Sequence, residues 1–568
     1  MFEMIDRDAG GRISRWRIAD KTITLPTIMP VINPNQMMIE PKELSSDFGA
    51  EIIITNSYII KRSDALREQA LKFGLHKMLE WKGPIYTDSG TFQMFSQGIK
   101  DINPKEIIEF QQMIGSDIIT PVDLFTLPTD TKAEAAVKFN ETMKRIADAR
   151  KMLDSAFLVG PIQGGQHLDL RKKAALAMNK SDADVYAIGG IVPYMEQYRY
   201  KELCDIIMTC KIHLDPNRPV HAFGAGHPMV FSLLTALGVD LFDSAMYAIA
   251  AKRDAYLMIN GTHDINEMDE FPCPCPICNK YTPKEMLTFE KPYREELLAR
   301  HNLYVTFAEL KAVRNAIKED SLWELVQQRA RAHPALLEAL EHVLKTYGKH
   351  LVKTENVSKK SAFMWLGAES EFRPEVLRAR EWMKRVSSKQ TFKRKPFGSV
   401  PIGLKDTYPF SQSVIPGEDD RRVAAKPELL FSSTVDYQYG KGASKNFKGV
   451  RVEVSRNTGR LRRITKDKVL LGSMRSHDNF FIPTIDGAKL LGKFMKKVVV
   501  HDDAVPFVAK GKSVFAKFVS KSDEIFPGEE VAIYTKNKKL IATGRAVMNS
   551  AEMKSFERGP AVETRSWE

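Results

Sequence analysis

The sequence has few cysteines and no long apolar segment. Only five cysteines occur among 568 residues, too few for the disulfide framework of a secreted protein. No run approaches the roughly 18 apolar residues that a membrane-spanning helix needs. The N-terminal segment, Met1–Gly11, is charged and lacks the apolar region of an export signal. These absences predict a globular, cytoplasmic protein that has no membrane partner.

What the chain does have is length and positive charge. With 43% hydrophobic and 27% charged residues, it can bury a sizeable core, and its length suits roughly three or four domains. The net charge of +13 favours a polyanionic partner, because lysine and arginine release counterions from phosphates. Basic proteins without a nucleic-acid partner are also common, so charge alone leaves the partner open.

The N-terminal half alternates short apolar runs with longer amphipathic stretches. Helical periodicity marks Pro104–Ile114, Lys132–Leu153 and Leu168–Met178. Strands that alternate with helices predict a parallel sheet, and this number of strands suggests a (β/α)8 barrel, with an open doubly wound sheet as the alternative. The candidate strands are Glu51–Thr55, Pro84–Thr87, Asp117–Val122, Phe157–Ile162, Asp184–Ile188, Val220–Phe223 and Val239–Phe242.

The positions of the polar residues favour the barrel over the open sheet. An open sheet concentrates its functional groups near one switch point, whereas a barrel collects them at the carboxyl ends of many strands. Here five runs end in a reactive or glycine-rich cluster. The clusters are Thr87–Gly90, Pro121–Asp123, Ile162–Gly165, Ile188–Gly190 and Leu241–Ser244.

The most specific spacing belongs to a group of cysteines. Cys273, Cys275 and Cys278 form a C-x-C-x2-C motif, and His301 follows after 22 intervening residues. Crowding of this kind in a cytoplasmic chain indicates metal ligation. Three thiolates and one imidazole complete a tetrahedral zinc shell with no open position, which predicts one structural zinc ion. A closed shell argues against a zinc hydrolase, which needs an open coordination position.

Two aspartates, Asp88 and Asp243, follow different candidate strands. Breaking a glycosidic bond with retention needs two carboxyl groups, one as the nucleophile and one to move protons. The other interpretation of each aspartate is a helix cap, which is common after a strand. The residues alone leave both interpretations open.

A further set of residues suits the recognition of a planar base. Asp123 can accept hydrogen bonds from a ring N–H and an exocyclic amine, and Gln163 and a backbone N–H of Gly189–Gly190 can contact a carbonyl oxygen. Glycine allows a ring to approach the main chain closely, and Phe92 offers a stacking surface. A purine with the hydrogen-bonding pattern of guanine fits this set, although glycine-rich strand ends also bind phosphates.

The C-terminal half differs in composition from the rest. A helical pattern continues to about residue 348 and includes Leu322–Tyr347. Residues 437–466 contain nine lysines and arginines and a single acid, Glu453. The last part of the chain predicts a small β-rich domain. Its candidate strands are Val498–Val500, Ser513–Val519, Glu530–Tyr534 and Leu540–Val547.

Several motifs in one order resemble the tRNA-guanine transglycosylases, in their archaeal branch, over essentially the whole chain. The barrel motifs that carry the resemblance are Thr87–Gln93, Ile162–Gly165, Gly189–Gly190, Leu241–Ser244 and the C-x-C-x2-C site. Two segments look like the zinc region of that branch, Cys278–Pro283 and His301–Tyr304. The tail resembles a PUA domain, an RNA-binding module, at Gly511–Lys517, Pro527–Gly528 and Phe556–Val562.

The resemblance implies an architecture and an activity. The architecture is a (β/α)8 TIM barrel with a zinc-binding insertion, followed by C-terminal α+β domains that end in a β-rich PUA domain. The activity is the exchange of guanine at position 15, in the tRNA D-arm, for 7-cyano-7-deazaguanine (preQ0) in archaeosine biosynthesis. The exchange passes through a covalent enzyme–RNA intermediate. The expected partners are tRNA, the guanine and preQ0 bases, and a second copy of the chain in a homodimer.

The resemblance also assigns roles to residues. It makes Asp243 the nucleophile and Asp88 the acid/base, although accounts of the family have also given the nucleophile role to the position of Asp88. The base pocket that carries over comprises Ser89, Phe92, Asp123, Gln163, Gly189 and Gly190. A paralogue such as archaeosine synthase, or an RNA-binding protein with a relic barrel, is the main alternative. The retained aspartates, Gln163 and the four metal ligands argue against the paralogue, and the relic barrel stays an open alternative.

The expected domains and RNA contacts complete the prediction. Residues 1–348 form the catalytic barrel with the zinc site, 349–430 a C-terminal α/β domain, 431–495 a basic linker domain and 496–568 the PUA domain. Lys384–Lys395 and Lys441–Lys466 are the expected phosphate contacts. The alternative for both stretches is a solvated charged surface.

Overall fold

A computed structural model of the chain describes residues 1–96, 103–417 and 424–568. The chain forms two compact units. The first comprises residues 1–6, 11–318 and 325–340, and the second comprises residues 7–10, 319–324 and 341–568. No helix in these described ranges has both the length and the apolarity needed to cross a bilayer.

The first unit is built on a closed barrel of eight parallel strands, which confirms the predicted fold class. Ahead of it lies a three-stranded sheet of β1 (Phe2–Asp8), β2 (Gly11–Ile18) and β3 (Lys21–Leu25). Each barrel strand pairs with the strands before and after it in sequence, and the last pairs with the first. The barrel strands are β4 (Thr27–Ile32), β5 (Ile53–Asn56), β6 (Ile85–Asp88), β7 (Ile118–Ile119), β8 (Phe157–Ile162), β9 (Val185–Ile188), β10 (Val220–Ala222) and β11 (Leu241–Ser244).

One barrel strand is absent from the sequence prediction. Strand β4 closes the barrel by pairing with β11 on one side and β5 on the other. The segment contains Pro30, and proline is uncommon inside strands, although the predicted strand β8 contains Pro161 as well. Each of the other seven strands overlaps one of the seven predicted runs, and β5, β6 and β11 extend one or two residues beyond theirs. Strand β7 is shorter than its run, with two residues in ladder geometry.

Helices follow the barrel strands as a parallel barrel requires. The long helix α7 begins at a capping box, in which Thr131 and Glu134 satisfy each other's backbone N–H groups. The three predicted helices agree with the structure to within one residue at their ends. The helices of this part are α1 (Pro41–Ser46), α2 (Ser57–Arg62), α3 (Asp64–Phe73), α4 (Leu75–Met78), α5 (Thr91–Ser96), α6 (Pro104–Met113), α7 (Lys132–Met152), α8 (Leu168–Met178), α9 (Val192–Glu196), α10 (Tyr200–His213), α11 (Phe231–Ala236) and α12 (Met246–Ala251).

After the barrel strands comes a hairpin of β12 (Ala255–Met258) and β13 (Gly261–Asp264), followed by the cysteine segment. The helices that follow are α13 (Pro283–Thr288), α14 (Lys291–Glu319), α15 (Leu322–Ala330) and α16 (Pro334–Thr354). The prediction of continuous helix over Leu322–Tyr347 is wrong at one point. The chain breaks between α15 and α16, because Pro334 lacks the N–H that an uninterrupted helix needs.

The second unit contains four sheets. Two small sheets pair β14 (Phe363–Met364) with β17 (Ser413–Val414), and β15 (Thr391–Arg394) with β16 (Gly398–Pro401). A four-stranded antiparallel sheet follows, with strands in sequence order. These are β18 (Arg451–Val454), β19 (Leu461–Lys466), β20 (Val469–Met474) and β21 (Phe481–Pro483). The segment predicted as a basic linker domain, 431–495, therefore contains a sheet of its own. Apolar side chains such as Phe431, Phe447 and Phe481 cluster around it.

The last sheet has six strands in the order β23-β27-β26-β25-β22-β24. Its strands are β22 (Lys497–Val500), β23 (Val514–Phe515), β24 (Val519–Ser522), β25 (Glu530–Tyr534), β26 (Leu540–Ala546) and β27 (Pro560–Trp567). The predicted strand Ser513–Val519 is interrupted by a 3-10 turn at Ala516–Phe518. The helices of the unit are α17 (Pro374–Met383), α18 (Pro427–Tyr439), α19 (Ile485–Leu491), α20 (Val505–Val508) and α21 (Ser550–Ser555).

Candidate active site

A cavity of about 940 Å³ opens at the carboxyl ends of the barrel strands. This is the end where barrel enzymes carry their active sites, because the loops that follow the strands converge there. Seven of the eight predicted catalytic and base-binding residues line the cavity, and Ser89 does not. The seven are Asp88, Phe92, Asp123, Gln163, Gly189, Gly190 and Asp243.

Asp243 lies on β11 and is almost fully buried, with 5% of its surface exposed. Its Oδ1 accepts a hydrogen bond from the backbone N–H of Gly224 at 2.5 Å and lies 2.8 Å from Nε2 of His221. Hydrogen bonds from N–H donors favour a carboxylate over a carboxylic acid. Asp243 is therefore held in the form that a nucleophile needs.

Asp88 ends β6 and has a different environment. Asn56 donates its amide N–H to Oδ2 of Asp88 at 2.9 Å. Burial raises the pKa of Asp88 to about 7, and the charges of Asp123 and Asp243 add to the shift, while the backbone N–H of Gly90 opposes it. A carboxyl group with this pKa can both give and take a proton near neutral pH.

Asp123 and Gln163 form a hydrogen-bonded pair in the cavity wall. Nε2 of Gln163 donates to Oδ2 of Asp123 at 2.5 Å. Oε1 of Gln163 accepts from the hydroxyl and the backbone N–H of Thr126, at 2.7 and 3.3 Å. Burial raises the pKa of Asp123, against hydrogen bonds from Thr91 and Gln163. Because its carbonyl oxygen is held by Thr126, Gln163 presents its amide N–H groups toward the cavity side.

The two glycines after β9 are required by close packing. A side chain at Gly189 would place its Cβ 2.7 Å from Nε2 of Gln163. Gly190 has a φ of +67°, and a Cβ there would lie 2.9 Å from the carbonyl oxygen of Thr126. These positions therefore allow Gln163 and Thr126 to take up their arrangement, a role that the sequence did not indicate.

The two remaining predicted residues are placed differently. Phe92 is 59% exposed at the cavity, with Phe125 edge-on to its ring at a centroid distance of 6.1 Å. One face of a large aromatic ring is thus left available beside the cavity. Ser89 is buried, and its hydroxyl lies 3.1 Å from that of Thr91.

Sequence reasoning missed three polar residues around the site. Asn56 caps α2 with its Oδ1 and holds Asp88 with its Nδ2. Thr126 orients Gln163, and His221 contacts Asp243. The one signal in the sequence was a histidine inside an apolar run, at His221, which is more often a core residue than a functional one.

The electrostatics of the cavity set it apart from an ordinary buried cluster. In the part of the chain that the structure describes, no lysine or arginine forms an ion pair with Asp88, Asp123 or Asp243. Burial is the main cause of the raised pKa of Asp88, and repulsion from the other uncompensated carboxylates adds to it. The site therefore retains acceptor and proton-transfer capacity for a bound molecule.

The predicted metal ligands also come together. The ligand atoms of Cys273, Cys275, Cys278 and His301 all lie within 4.8 Å of one another. Nδ1 of His301 lies 3.3 Å from Sγ of Cys278 and 3.6 Å from Sγ of Cys275. Tetrahedral zinc, with Zn–S bonds of about 2.3 Å, separates its ligand atoms by roughly 3.5 to 3.8 Å. The donor set and its spacing fit a metal ion of this kind.

The surroundings of His301 support the same fit. Its Nε2 lies 3.0 Å from the carbonyl oxygen of Leu257. A metal-bound histidine commonly donates its second ring N–H to such a group, which leaves the other nitrogen free for the metal. The ring of Tyr256 stacks on that of His301 at 3.6 Å, and its hydroxyl lies 3.3 Å from Sγ of Cys278.

Comparison with known proteins places the chain in a family. The model of the family described as queuine tRNA-ribosyltransferase matches residues 6–335, more than half of the chain. Proteins named tRNA-guanine(15) transglycosylase are similar over the whole length. The protein of Thermococcus kodakarensis is 43% identical over 99% of this chain and 98% of its own. The chain belongs to the tRNA-guanine transglycosylase family, in its archaeal branch.

Further relatives from that branch agree with this placement. The tRNA-guanine(15) transglycosylase of Pyrococcus furiosus is 43% identical over 99% of this chain and 97% of its own. That of Methanocaldococcus jannaschii is 39% identical over 99% of both chains. The resemblance inferred from the sequence motifs is thereby confirmed.

The C-terminal unit also matches transglycosylase domains. A C1 domain of tRNA-guanine transglycosylase dimerisation matches residues 356–424, and a patch-forming C2 domain matches residues 432–497. A PUA domain matches residues 496–567. The predicted PUA domain of this transglycosylase is therefore confirmed.

The two predicted basic stretches of the transglycosylase differ in the structure. In Lys384–Lys395, Arg385 and Arg394 donate to backbone carbonyl groups, so the exposed cations of this stretch are its lysines. In the second stretch all nine cations are exposed, and within the described residues none forms an ion pair. This basic face comprises Lys441, Lys445, Lys448, Arg451, Arg456, Arg460, Arg462, Arg463 and Lys466.

Proposed function

We propose that this protein exchanges the guanine at position 15 of a folded tRNA for preQ0, through a covalent enzyme–RNA intermediate, as a step in archaeosine biosynthesis. Relatives that match along their full length carry the name tRNA-guanine(15) transglycosylase. One observation carries the proposal. The cavity holds two carboxyl groups in contrasting environments, Asp243 with two N–H groups at one oxygen and Asp88 with a pKa of about 7.

The contrast between the two aspartates supports their assignment. Asp243 is the nucleophile, because N–H groups at Oδ1 favour its carboxylate form. Asp88 is the acid/base, because burial raises its pKa into the range of proton exchange at neutral pH. The opposite assignment would place the nucleophile on a group that is half protonated at pH 7.

The exchange takes place in two displacements at C1′ of the ribose. In the first, a carboxylate oxygen of Asp243 bonds to C1′ while the bond from C1′ to N9 breaks. The electron pair passes to the departing guanine, and its N9 takes the proton of Asp88. In the second, the incoming base returns a proton from its N9 to Asp88 and attacks C1′, and the ester bond to Asp243 breaks. Two displacements retain the configuration at C1′.

Recognition of the base falls to Asp123 and Gln163. The carboxylate of Asp123 can accept from N1–H and the exocyclic amine of guanine, and Nε2 of Gln163 can donate to O6. Adenine lacks the N1–H and would leave Asp123 facing an acceptor, which is a strong basis for rejection. Both guanine and a 7-deazaguanine carry the required edge. Phe92 supplies a stacking face.

The RNA must deliver its guanosine out of the stack, at a cost of roughly a few kcal/mol. The nine cations of the basic face are the best-supported candidates to bind the tRNA phosphates, because no acid among the described residues forms an ion pair with them. The PUA match is consistent with RNA binding. The match to a dimerisation domain supports a homodimer.

The zinc ion is a structural part of this proposal. Cys273, Cys275, Cys278 and His301 would hold one Zn2+ in a closed shell. Bound zinc supplies cross-linking of the cysteine segment to α14, which carries His301, and takes no part in the exchange.

The four-domain division is likewise proposed: 1–348 as catalytic barrel with zinc site, 349–430, 431–495 and 496–568. The family matches at 6–335, 356–424, 432–497 and 496–567 support it. Residues 418–423 of the second domain lie outside the described residues.

Incorporation of labelled base tests the function. Unmodified tRNA transcript and radiolabelled guanine are incubated with the protein, and preQ0 is then added as a chase. We expect label to enter the tRNA and to be displaced irreversibly by preQ0. A transcript with adenosine at position 15 is the matched control and should stay unlabelled. Absence of label from both transcripts across temperature and salt would contradict the proposal.

A further inference from the structure

His221 is fully buried inside the barrel, on β10, and lies between Tyr86 and Asp243. Its Nε2 is 2.8 Å from Oδ1 of Asp243, and its Nδ1 is 3.3 Å from the hydroxyl of Tyr86. The ring of Tyr86 is edge-on to the imidazole at a centroid distance of 5.5 Å, and Phe223 packs beside it at 4.7 Å. Both ring nitrogens are therefore engaged, and packing fixes the plane of the ring.

The direction of these hydrogen bonds follows from the carboxylate of Asp243, which can only accept, so Nε2 of His221 is the donor. Burial raises the pKa of Tyr86 well above its usual value, against the side chain of Thr120, and the charges of Asp243 and Asp88 raise it further. The hydroxyl of Tyr86 thus stays protonated and can donate a hydrogen bond to Nδ1 of His221. The imidazole then carries its hydrogen on Nε2 and donates to Asp243.

A neutral imidazole suits both states of the exchange. Asp243 alternates between a carboxylate and a neutral ester in the proposed reaction. A protonated His221 would lose its counter-charge each time the ester formed, and an unpaired buried cation is strongly disfavoured. A neutral N–H donor can remain hydrogen-bonded to either state.

The two oxygens of Asp243 are not equivalent. Oδ1 accepts the backbone N–H of Gly224 and faces the N–H of His221. Across residues 1–96, 103–417 and 424–568, Oδ2 accepts no hydrogen bond. Because Oδ1 accepts hydrogen bonds, Oδ2 is the oxygen of Asp243 that is left to form a covalent bond.

We propose that His221, oriented by Tyr86, is a positioning residue that occupies Oδ1 of Asp243 and so makes Oδ2 the atom that attacks C1′ of the ribose. This inference rests on the proposed function. The same donor also stabilises the carboxylate that reappears when the ester breaks. His221 therefore assists the attack through orientation and the release through charge stabilisation.

Buried packing alone does not explain this residue. The neighbours of His221 on β10 are Val220 and Ala222, and both are apolar and buried. A leucine or methionine would fill the same space without a polar group to satisfy. A histidine here requires partners at both nitrogens, and the barrel supplies Tyr86 and Asp243.

Three variants test the proposal by steady-state kinetics of guanine incorporation into tRNA. His221→Leu removes the donor and keeps the volume, His221→Gln retains an N–H donor, and Tyr86→Phe removes the group that fixes the tautomer. We expect kcat of His221→Leu to fall on the order of 100-fold, as for loss of one preorganised donor, with KM for tRNA unchanged within about threefold. Gln should recover at least about tenfold of the loss, and Tyr86→Phe should lose roughly 3- to 10-fold.

A matched control separates positioning from general damage. His213→Leu makes the same change at the end of α10, where the ring contacts the carbonyl oxygen of Thr209, and should leave kcat unchanged. Equal kcat for His221→Leu and wild type would overturn the proposal. So would a glutamine variant as impaired as the leucine variant. If the leucine variant does not fold, the glutamine and phenylalanine variants decide in the same way.

A crystal structure of His221→Leu provides a readout that needs no activity. We expect the carboxylate of Asp243 to rotate away from its orientation in wild type, because only Gly224 still holds Oδ1. An unchanged carboxylate would refute the positioning role even if the protein exchanged guanine normally. An inactive wild type with a rotated Asp243 in the variant would instead refute the proposed function and leave the positioning intact.

Discussion

Buried carboxylates occur in both units of the molecule, but their surroundings differ. In the second unit, which includes residues 7–10, Lys359 lies 2.7 Å from Asp8 and 2.6 Å from Glu355. All three side chains are nearly inaccessible to solvent. In the barrel, Asp88 and Asp243 are approached by N–H donors, with no lysine or arginine paired to them among the residues described. Asp8 and Glu355 share one lysine, whereas the barrel carboxylates have no such partner among the described residues.

The difference indicates what each cluster is for. Burial acts to lower the pKa of Lys359, but the carboxylates of Asp8 and Glu355 outweigh it and raise the pKa well above its usual value. A buried ion-paired cluster of this type has a structural role, because removing one partner leaves a buried charge uncompensated. Burial raises the pKa of Asp8 to about 8 as well, but there the charge of Lys359 opposes the shift. In the barrel, burial and then the neighbouring carboxylates raise the pKa of Asp88 without an ion-paired lysine or arginine to oppose them, which makes the fold less stable and leaves proton-transfer capacity for a substrate.

The sharpest test of the comparison removes a barrel carboxylate without removing volume. Asp243→Asn should lower kcat for guanine incorporation by about 10⁴-fold or more, as loss of a nucleophile does, and should leave the unfolding temperature close to that of wild type. Kinetics and thermal unfolding are measured together. Residual activity above about a hundredth of wild type would contradict the assignment of Asp243 as nucleophile.

The converse change removes the cation of the paired cluster. Lys359→Met should lower the free energy of unfolding by about 3 to 5 kcal/mol, because it leaves buried carboxylates unpaired. Exchange activity of the folded variant, measured well below its unfolding midpoint, should match wild type.

Chemical denaturation measures this loss of stability. Lys349→Met, the same change at an exposed position on α16, is the control and should be neutral. A loss below about 1 kcal/mol in the Lys359 variant would mean that the ion pairs there are as weak as surface pairs, and the contrast between the two clusters would fail.

Loss of the proton-transfer group should have a smaller effect on rate than loss of the nucleophile. Asp88→Asn should slow guanine release by about 10²- to 10³-fold. In wild type, release needs protonated Asp88, so its rate should fall as the pH rises through about 7. Single-turnover release measured across pH should show this fall in wild type and a flat profile in the variant. A fall that persists in the variant would assign the titration to another group.

The same substitution should stabilise the fold. The pKa of Asp88 is about 7 in the folded chain against an ordinary value of 3.8, so ionisation above pH 7 destabilises the folded state relative to the unfolded one. Asp88→Asn removes that penalty. Its unfolding temperature should exceed that of wild type most clearly above pH 7, and the gap should shrink between pH 7 and 4. If the difference in unfolding temperature between Asp88→Asn and wild type grew as the pH fell, the raised pKa of Asp88 would be contradicted.

The smallest effect is expected at the surface. Replacing Arg462 and Arg463 by glutamate should weaken tRNA binding about tenfold and reduce the dependence of log Kd on log salt, because fewer counterions are released. Binding titrations at several salt concentrations measure both quantities. Lys180→Glu, an exposed position after α8, is the matched control. Unchanged affinity in the double variant would remove the basic face from the RNA interface.

Much of the fold follows from patterns that the sequence displays directly. Seven apolar runs with polar ends predict the barrel, and the C-x-C-x2-C motif with His301 predicts a cluster whose atoms do converge. Strand β4 is not predicted, although its segment is as apolar as the predicted runs. The break before Pro334 is set by one residue within a helical stretch.

The site is less predictable than the fold, because its support comes from residues distant in sequence. Nothing adjacent to Asp243 indicates that His221 and Gly224 converge on one of its oxygens. The pKa of Asp88 depends on burial and on two other carboxylates, which only the closed barrel brings together. Sequence motifs identify the candidate catalytic residues, whereas the environment that distinguishes a nucleophile from an acid/base is created by the packing of the folded barrel.

Trapping the covalent intermediate directly tests whether Asp243 is the residue that bonds to C1′ of the ribose. The protein is mixed with tRNA while released guanine is removed, then denatured and digested, and the RNA-linked peptide is sequenced by mass spectrometry. We expect one ribose-linked residue, Asp243, and no adduct with Asp243→Asn. An adduct on Asp88, or exchange that proceeds with no adduct at any time, would contradict this assignment.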